Sequence, residues 1–156
     1  MNNDDCIRHE TVAHGQGNVH TVWVNNPARL NVLNSSTLQA LGATLQRIEN
    51  DPHARVAVLR GSGERAGSGG ADIREMAELD AHSAVTFIRR VHGFCHALRM
   101  LPVPVLAVIR GYCLGAGLEV AASCDLRLAA QGAAFAHAAV RVGLPCVTEV
   151  PPSTAR

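Results

Sequence analysis

The segment Ile109-Arg110-Gly111-Tyr112-Cys113-Leu114-Gly115-Ala116-Gly117-Leu118-Glu119 joins an apolar strand, a turn of small residues and a helix start that carries one carboxylate. Small residues at a helix start leave backbone N–H groups exposed, and the helix dipole adds positive potential there. A carboxylate one turn further on is within reach of whatever those N–H groups hold. The chemistry this permits is an oxyanion binder beside a proton carrier. A solvated helix residue is the ordinary alternative for a lone glutamate; closing the small-residue turn is what favours Glu119 as an acid–base group.

A second glycine-rich stretch runs from Gly61 to Gly70. Its first part, Gly61-Ser62-Gly63-Glu64-Arg65-Ala66, fits the G-x-G-x-x-A pattern of dinucleotide sites formally. There the helix begins inside the glycine pattern, whereas here the loop continues through Gly67, Ser68, Gly69 and Gly70, which argues against such a module. No Gly-Lys-Ser/Thr occurs, so a P-loop is excluded. A flexible surface loop is one reading of the stretch. The other pairs it with the first segment: two strand–turn–helix units, ending at Ala71 and Ala116, can each present a backbone N–H toward one point. Two convergent donors are what a developing carbonyl oxyanion requires.

Other candidates carry less. His92 and His96 lie i, i+4 on a predicted helix, but His-Gly-Phe-Cys-His lacks the glutamate of H-E-x-x-H and no third ligand is evident, so no metal site is expected. Cys95 beside His96 is no nucleophile–base pair, because neighbouring helix positions do not face each other. Arg89-Arg90 reads as a solvated helix face, with contact to a phosphate as a minor alternative.

The positioning elements follow from pattern. Val19 to Val24 alternates like a strand and stops at Asn25-Asn26-Pro27. Ser35 and Ser36 are expected to cap a helix to about Glu49, with Leu38, Leu41, Leu45 and Ile48 on one face, and Asp51-Pro52 ends it. Val56 to Leu59 reads as a buried strand. A helix can start at Asp72, and a longer one spans about Ser83 to Met100. Val105 to Ile109 is a further strand, the helix carrying Glu119 runs to about Ser123, and Asp125 to Ala129 is a last strand. Strands alternate with helices throughout, which predicts an α/β architecture in one domain over residues 1–156. The tail from Pro145 to Arg156 holds Pro151-Pro152 and stops without a closing helix, as an interrupted chain would.

Composition sets the boundaries. Hydrophobic residues make up 47% and aromatics only 3%, so Ala, Val and Leu must fill the interior and backbones must pack closely. A net charge of +1 gives no reason to expect nucleic acid or an anionic membrane as partner. There is no lysine, which removes Schiff-base chemistry. The five cysteines, Cys6, Cys95, Cys113, Cys124 and Cys146, are widely spaced and predicted to be reduced, buried thiols. Met1-Asn2-Asn3-Asp4-Asp5 does not resemble a secretory signal, and no apolar run approaches a membrane span, so a cytoplasmic protein is expected.

The chain resembles the crotonase, or enoyl-CoA hydratase/isomerase, superfamily. Asn25-Asn26-Pro27-Ala28-Arg29-Leu30-Asn31-Val32-Leu33-Asn34 looks like its N-x-P…N-A-L-N segment. Ala66-Gly67-Ser68-Gly69-Gly70-Ala71-Asp72-Ile73-Arg74-Glu75-Met76 looks like A-F-x-A-G-A-D-I-K-E-M. Arg110 to Glu119 resembles N-G-x-x-x-G-G-G-x-E, and Cys124-Asp125-Leu126-Arg127 the C-D-x-R/I that follows. Phe135-Ala136-His137-Ala138-Ala139-Val140-Arg141-Val142-Gly143-Leu144-Pro145 resembles F-x-x-P-E-V-x-x-G-L-x-P. The ordered match covers Asn25 to Pro145.

The resemblance implies a spiral of ββα units that binds acyl-CoA thioesters, with coenzyme A arriving as part of the substrate and no cofactor. It places the N–H groups of Ala71 and Ala116 in an oxyanion hole and Glu119 as the base that deprotonates water. Gly70, Asp72, Ile73, Arg74 and Gly115, with Ala28 and Arg29, would line the coenzyme A channel. Family members assemble as trimers or hexamers, in part through C-terminal helices that this chain is expected to lack. The pattern breaks at three places. Ala139 stands where the family carries a second glutamate and Ala138 where it carries a proline; Gly67 replaces an aromatic and Gly69 an alanine; and the chain stops at Arg156. The expected activity is hydration of a 2-enoyl-CoA. The alternatives are a catalytically impaired acyl-CoA-binding remnant and another crotonase-type reaction, isomerisation or thioester hydrolysis.

Overall fold

The structure is a computed structural model that describes residues 6–137. Ala138, Ala139, Cys146 and the tail from Pro145, like Met1 to Asp5, lie outside the described residues. In chain order the elements are β1 (Ile7–His14), β2 (Gly17–Val24), a single 3-10 turn (Pro27–Arg29), α1 (Ser35–Glu49), β3 (Ala54–Gly61), β4 (Ala66–Ser68), α2 (Ile73–Glu78), α3 (Ala81–Met100), β5 (Val105–Ile109), β6 (Tyr112–Leu114), α4 (Ala116–Ala122), β7 (Leu126–Ala129) and β8 (Ala134–Ala136).

Two sheets share these strands. The larger has the order β1-β2-β3-β5-β7 and the smaller β4-β6-β8. Apart from the antiparallel β1–β2 hairpin, every strand pair is parallel. From β3 on, each successive pair of strands (β3 and β4, β5 and β6, β7 and β8) adds one strand to each sheet before the chain enters a helix or moves on. That is the spiral of ββα units expected from the resemblance. The corners stack too: Tyr112 N–H donates to Arg65 O (3.0 Å) and Ala134 N–H to Gly111 O (3.0 Å).

The core lies between the larger sheet and a helical layer. Leu38, Leu41, Leu45 and Ile48 of α1 are buried as their 3.6-residue spacing predicts, and meet Phe87, Val91, Phe94, Cys95 and Leu98 of α3. Asn34 caps α1 by accepting from Thr37 N–H (2.8 Å). This corrects the expectation that Ser35 and Ser36 do so: both are helical, and Ser36 Oγ donates to Asn34 Oδ1 (2.8 Å). Likewise α3 starts at Ala81 rather than about Ser83, because Asp80 and Ser83 close a reciprocal capping box.

Three further differences concern strands. β1 is not predicted by pattern, because an edge strand of residues such as Arg8, Glu10 and Thr11 shows no apolar alternation. The stretch 61–70 is not a plain flexible loop, since it contains β4. β6 and β8 are strands of three residues each, too short to show an alternation in the sequence. No helix among the described residues is long and apolar enough to cross a membrane.

Candidate active site

Two turns that end small-sheet strands come together at one place. The first follows β4. Ala71 forms a parallel bridge with Leu33, in which Leu33 N–H donates to Gly70 O (2.8 Å) and Asp72 N–H to Leu33 O (2.9 Å). Among the described residues there are no cis peptides. Across a trans peptide the C=O and N–H point in opposite directions, so the carbonyl of Gly70 aimed at Leu33 turns the N–H of Ala71 away from Leu33.

The second turn follows β6. Gly115 sits at the N-cap of α4, and its carbonyl accepts from Leu118 N–H (2.9 Å) and Glu119 N–H (3.1 Å). That carbonyl points into the helix, so the N–H of Ala116 points out of its N-terminus. The N–H of Gly115 is used elsewhere, donating to Ala136 O of β8 (2.9 Å).

Gly70 shows how close the two turns are. Its φ is +94°, and a Cβ there would lie 2.8 Å from Leu114 O and 3.7 Å from Ala116 N. A side chain at this position would force the turns apart. Close packing continues behind it: a Cβ on Gly117 would meet Ser68 Cβ at 2.6 Å, so glycine is what lets α4 sit against β4.

Glu119 lies one helical turn beyond Ala116, buried at 4% exposure. Burial rules out the solvated-helix reading. Its Oε1 stands 3.5 Å from Nε2 of His137, which follows β8. The helix that carries Glu119 is fixed at its far end by Ser123 Oγ donating to Glu119 O (2.9 Å) and by Arg127 donating to Cys124 O (2.7 Å). Asp125 anchors the neighbouring strand by accepting from Val105 N–H (2.7 Å).

The residues expected along a channel fall into two groups. Arg29 Nη2 donates to Asp72 Oδ1 (2.8 Å), and the buried Asp72 also caps α2 by accepting from Arg74 N–H (3.1 Å). This pair ties the 3-10 turn to the start of α2. Ala28, Ile73 and Arg74 are exposed around it, with Ile73 79% exposed.

Asn31 holds the first turn from within. It is fully buried with φ +54°, donates to Ser62 O (2.9 Å) and Ala66 O (2.7 Å), and accepts from Asn26 N–H (2.9 Å). Asn31 lies within the Asn25 to Asn34 motif, whose residue types alone do not reveal this task. The one sequence signal for His137 is a titratable residue just ahead of Ala138-Ala139, where the expected carboxylate is absent.

The discounted groups stay apart from the site. His92, His96, Arg89 and Arg90 are all exposed. The thiols of Cys95, Cys113 and Cys124 are buried, and burial pushes Cys113 up to about 11 and Cys124 up to about 12, which keeps them protonated at neutral pH. Among the described residues no group of three His, Cys, Asp or Glu side chains is arranged to hold a metal ion. A groove of ≈ 520 Å³ between α1 and α3, lined by Leu38, Leu45, Arg90, Phe94 and Met100, shares none of the residues around Glu119.

Comparison with known proteins decides the family. A sequence profile described as enoyl-CoA hydratase/isomerase matches residues 14–151. The chain belongs to the enoyl-CoA hydratase/isomerase family. Over 129 residues it is 37% identical to a short-chain-enoyl-CoA hydratase of Clostridium acetobutylicum, covering 83% of this chain and 49% of that protein. A crotonyl-CoA hydratase of Syntrophomonas wolfei is 32% identical over 123 residues, 79% of this chain and 47% of that one. The crystal structure of an enoyl-CoA hydratase from Bacillus anthracis superposes with a TM-score of 0.83 at 28% identity, covering 91% of this chain and 54% of that one. The fold is thus that of the crotonase superfamily, and the chain spans about half the length of these relatives.

Proposed function

We propose that this enoyl-CoA hydratase/isomerase family member adds water to a 2-enoyl-CoA thioester. The observation that carries the reading is the buried carboxylate of Glu119, one turn beyond an outward-facing Ala116 N–H, with the Gly70–Ala71 turn packed against it. The N–H groups of Ala71 and Ala116 bind the thioester oxygen. Polarising that carbonyl draws electron density from the conjugated alkene, so water adds at C3 and the two donors hold the resulting enolate. One such donor is worth about 10²–10³ in rate. Glu119 positions the water and takes its proton. Ala28, Arg29, Gly70, Asp72, Ile73, Arg74 and Gly115 line the path of the coenzyme A moiety, and the reaction needs no further cofactor.

Ala139 favours a second reading, a chain that binds acyl-CoA without turning it over. Loss of the enoyl thioester's ultraviolet absorbance on addition of crotonyl-CoA separates the two. Hydration predicts turnover that falls by about 10²–10⁴ in Glu119→Gln. Binding without absorbance loss leaves the second reading standing.

A further inference from the structure

We propose that His137 is the second acid–base group of this site, delivering a proton to C2 of the substrate and then being recharged by the proton that Glu119 takes from water. The inference rests on the hydration reading above. Hydration needs a group to accept a proton from water and a group to deliver one to carbon, and position 139 holds an alanine that can do neither.

Three observations place His137 in that role. Its Nε2 stands 3.5 Å from Glu119 Oε1. Both of its ring nitrogens are buried and make no hydrogen bond among the described residues, although the side chain as a whole is 29% exposed. Buried polar atoms of this kind are rare and mark places held ready for a ligand or for water. The strand before it is fixed to the helix start by Gly115 N–H donating to Ala136 O (2.9 Å), so His137 is delivered to Glu119 by the same contact that shapes the turn at Ala116.

A separation of 3.5 Å is too long for a strong hydrogen bond, but it lets one water oxygen reach both groups. The reaction then balances within the pair. An O–H bond of water breaks and its proton goes to the Glu119 carboxylate while the oxygen bonds to C3. The C2=C3 electron pair moves onto the thioester oxygen, giving the enolate. As the carbonyl re-forms, that pair bonds C2 to the proton on Nε2 of protonated His137. The proton held by Glu119 then crosses to the neutral imidazole, restoring both groups. Imidazole suits the task because the same ring can donate a proton and accept one.

The test uses the full chain with crotonyl-CoA, and variants Glu119→Gln, His137→Gln and His137→Gln/Ala139→Glu. Binding of saturated butyryl-CoA, followed by calorimetry, reports an intact site. The proposal predicts that His137→Gln lowers kcat by about 10²-fold or more at nearly unchanged KM and butyryl-CoA affinity. It also predicts that a glutamate at 139 in the same background recovers at least part of the lost kcat, which a merely structural role for His137 would not allow. A His137→Gln chain that keeps kcat within about threefold, while Glu119→Gln is inactive, overturns this inference and leaves the hydration reading in place. A parent chain without turnover overturns both. If His137→Gln lowers butyryl-CoA binding as much as kcat, and His137→Asn does the same, the histidine is structural and the proposal fails.

Discussion

Asn31 shows how a single side chain can determine where a distant amide points. Its amide group spans the Asn26 turn, Ser62 and Ala66, and its own carbonyl accepts from Ser68 Oγ (2.9 Å), so the segment before Leu33 and the strand β4 are held as one piece. Leu33 in turn orients Gly70 and Ala71. Replacing Asn31 by alanine leaves buried carbonyls unmet and puts a Cβ residue without a local hydrogen bond at positive φ. We expect Asn31→Ala to cost about 3 kcal/mol, seen as a lower urea midpoint at unchanged m value. A loss under about 1 kcal/mol would show that water meets these groups and that the anchoring argument is wrong. The motif Asn25 to Asn34 was visible in the sequence, but the task of Asn31 was not, because Ser62 and Ala66, the carbonyls it holds, lie more than thirty positions away. Glu119 was legible for the opposite reason: the small residues that expose the helix start are its immediate neighbours. His137 faces it only because β8 and α4 meet in three dimensions.

The elements differ in how plainly the sequence announces them. α1 and α3 each present several turns of apolar periodicity, and both were readable to within a few residues. β4, β6 and β8 are three residues each, too short for any period, and exist because their backbones pair across the ββα corners. Glycine positions within these elements make contrasting predictions. Gly67 lines a small pocket of ≈ 40 Å³, its φ is not positive, and a Cβ there would find its nearest neighbour, Ile109 Cγ2, at 3.6 Å. Gly67→Ala therefore raises stability by about 0.5–1 kcal/mol, mostly by restricting the unfolded chain. Gly70→Ala meets the Leu114 backbone at 2.8 Å with φ at +94°, so it lowers stability by about 1–3 kcal/mol and moves the Ala71 amide. Thermal melts of both variants check this, with crotonyl-CoA turnover retained in the first and lost by about 10²-fold in the second. Equal effects of the two would contradict the packing described for the turn.

Across the whole molecule, stability is linked to pH through a cluster remote from Glu119. His9 Nε2 lies 3.1 Å from His20 Nδ1, and His20 Nε2 lies 2.9 Å from Asp51 Oδ2, which also accepts from Asn18 Nδ2 (2.7 Å). The cluster joins the β1–β2 hairpin to the loop after α1. Burial, then the neighbouring His20 and Arg47, holds His9 below its ordinary value of 6.5. The folded chain therefore binds fewer protons at His9 than the unfolded one. Its contribution is complete above pH 6.5 and is lost as pH falls through that value toward the folded one. Asp51 is held below its ordinary value of 3.8, chiefly by the hydrogen bond from Asn18, so its contribution fades only at still lower pH. The melting temperature should drop between about pH 7 and about pH 5, and His9→Gln should flatten part of that slope. An unchanged slope in the variant would remove His9 from the account. The α/β spiral as a whole was legible in the ordered motifs, whereas this cluster, built from an edge strand without apolar alternation, was not.

The central claim is that two peptide amides meet at one thioester oxygen beside Glu119. A crystal structure of the chain with butyryl-CoA tests it most directly. The account predicts the thioester oxygen at about 2.7–3.1 Å from both Ala71 N and Ala116 N, with its C3 atom facing the Glu119 carboxylate. A thioester held by only one of the two amides, or seated away from α4, would contradict it.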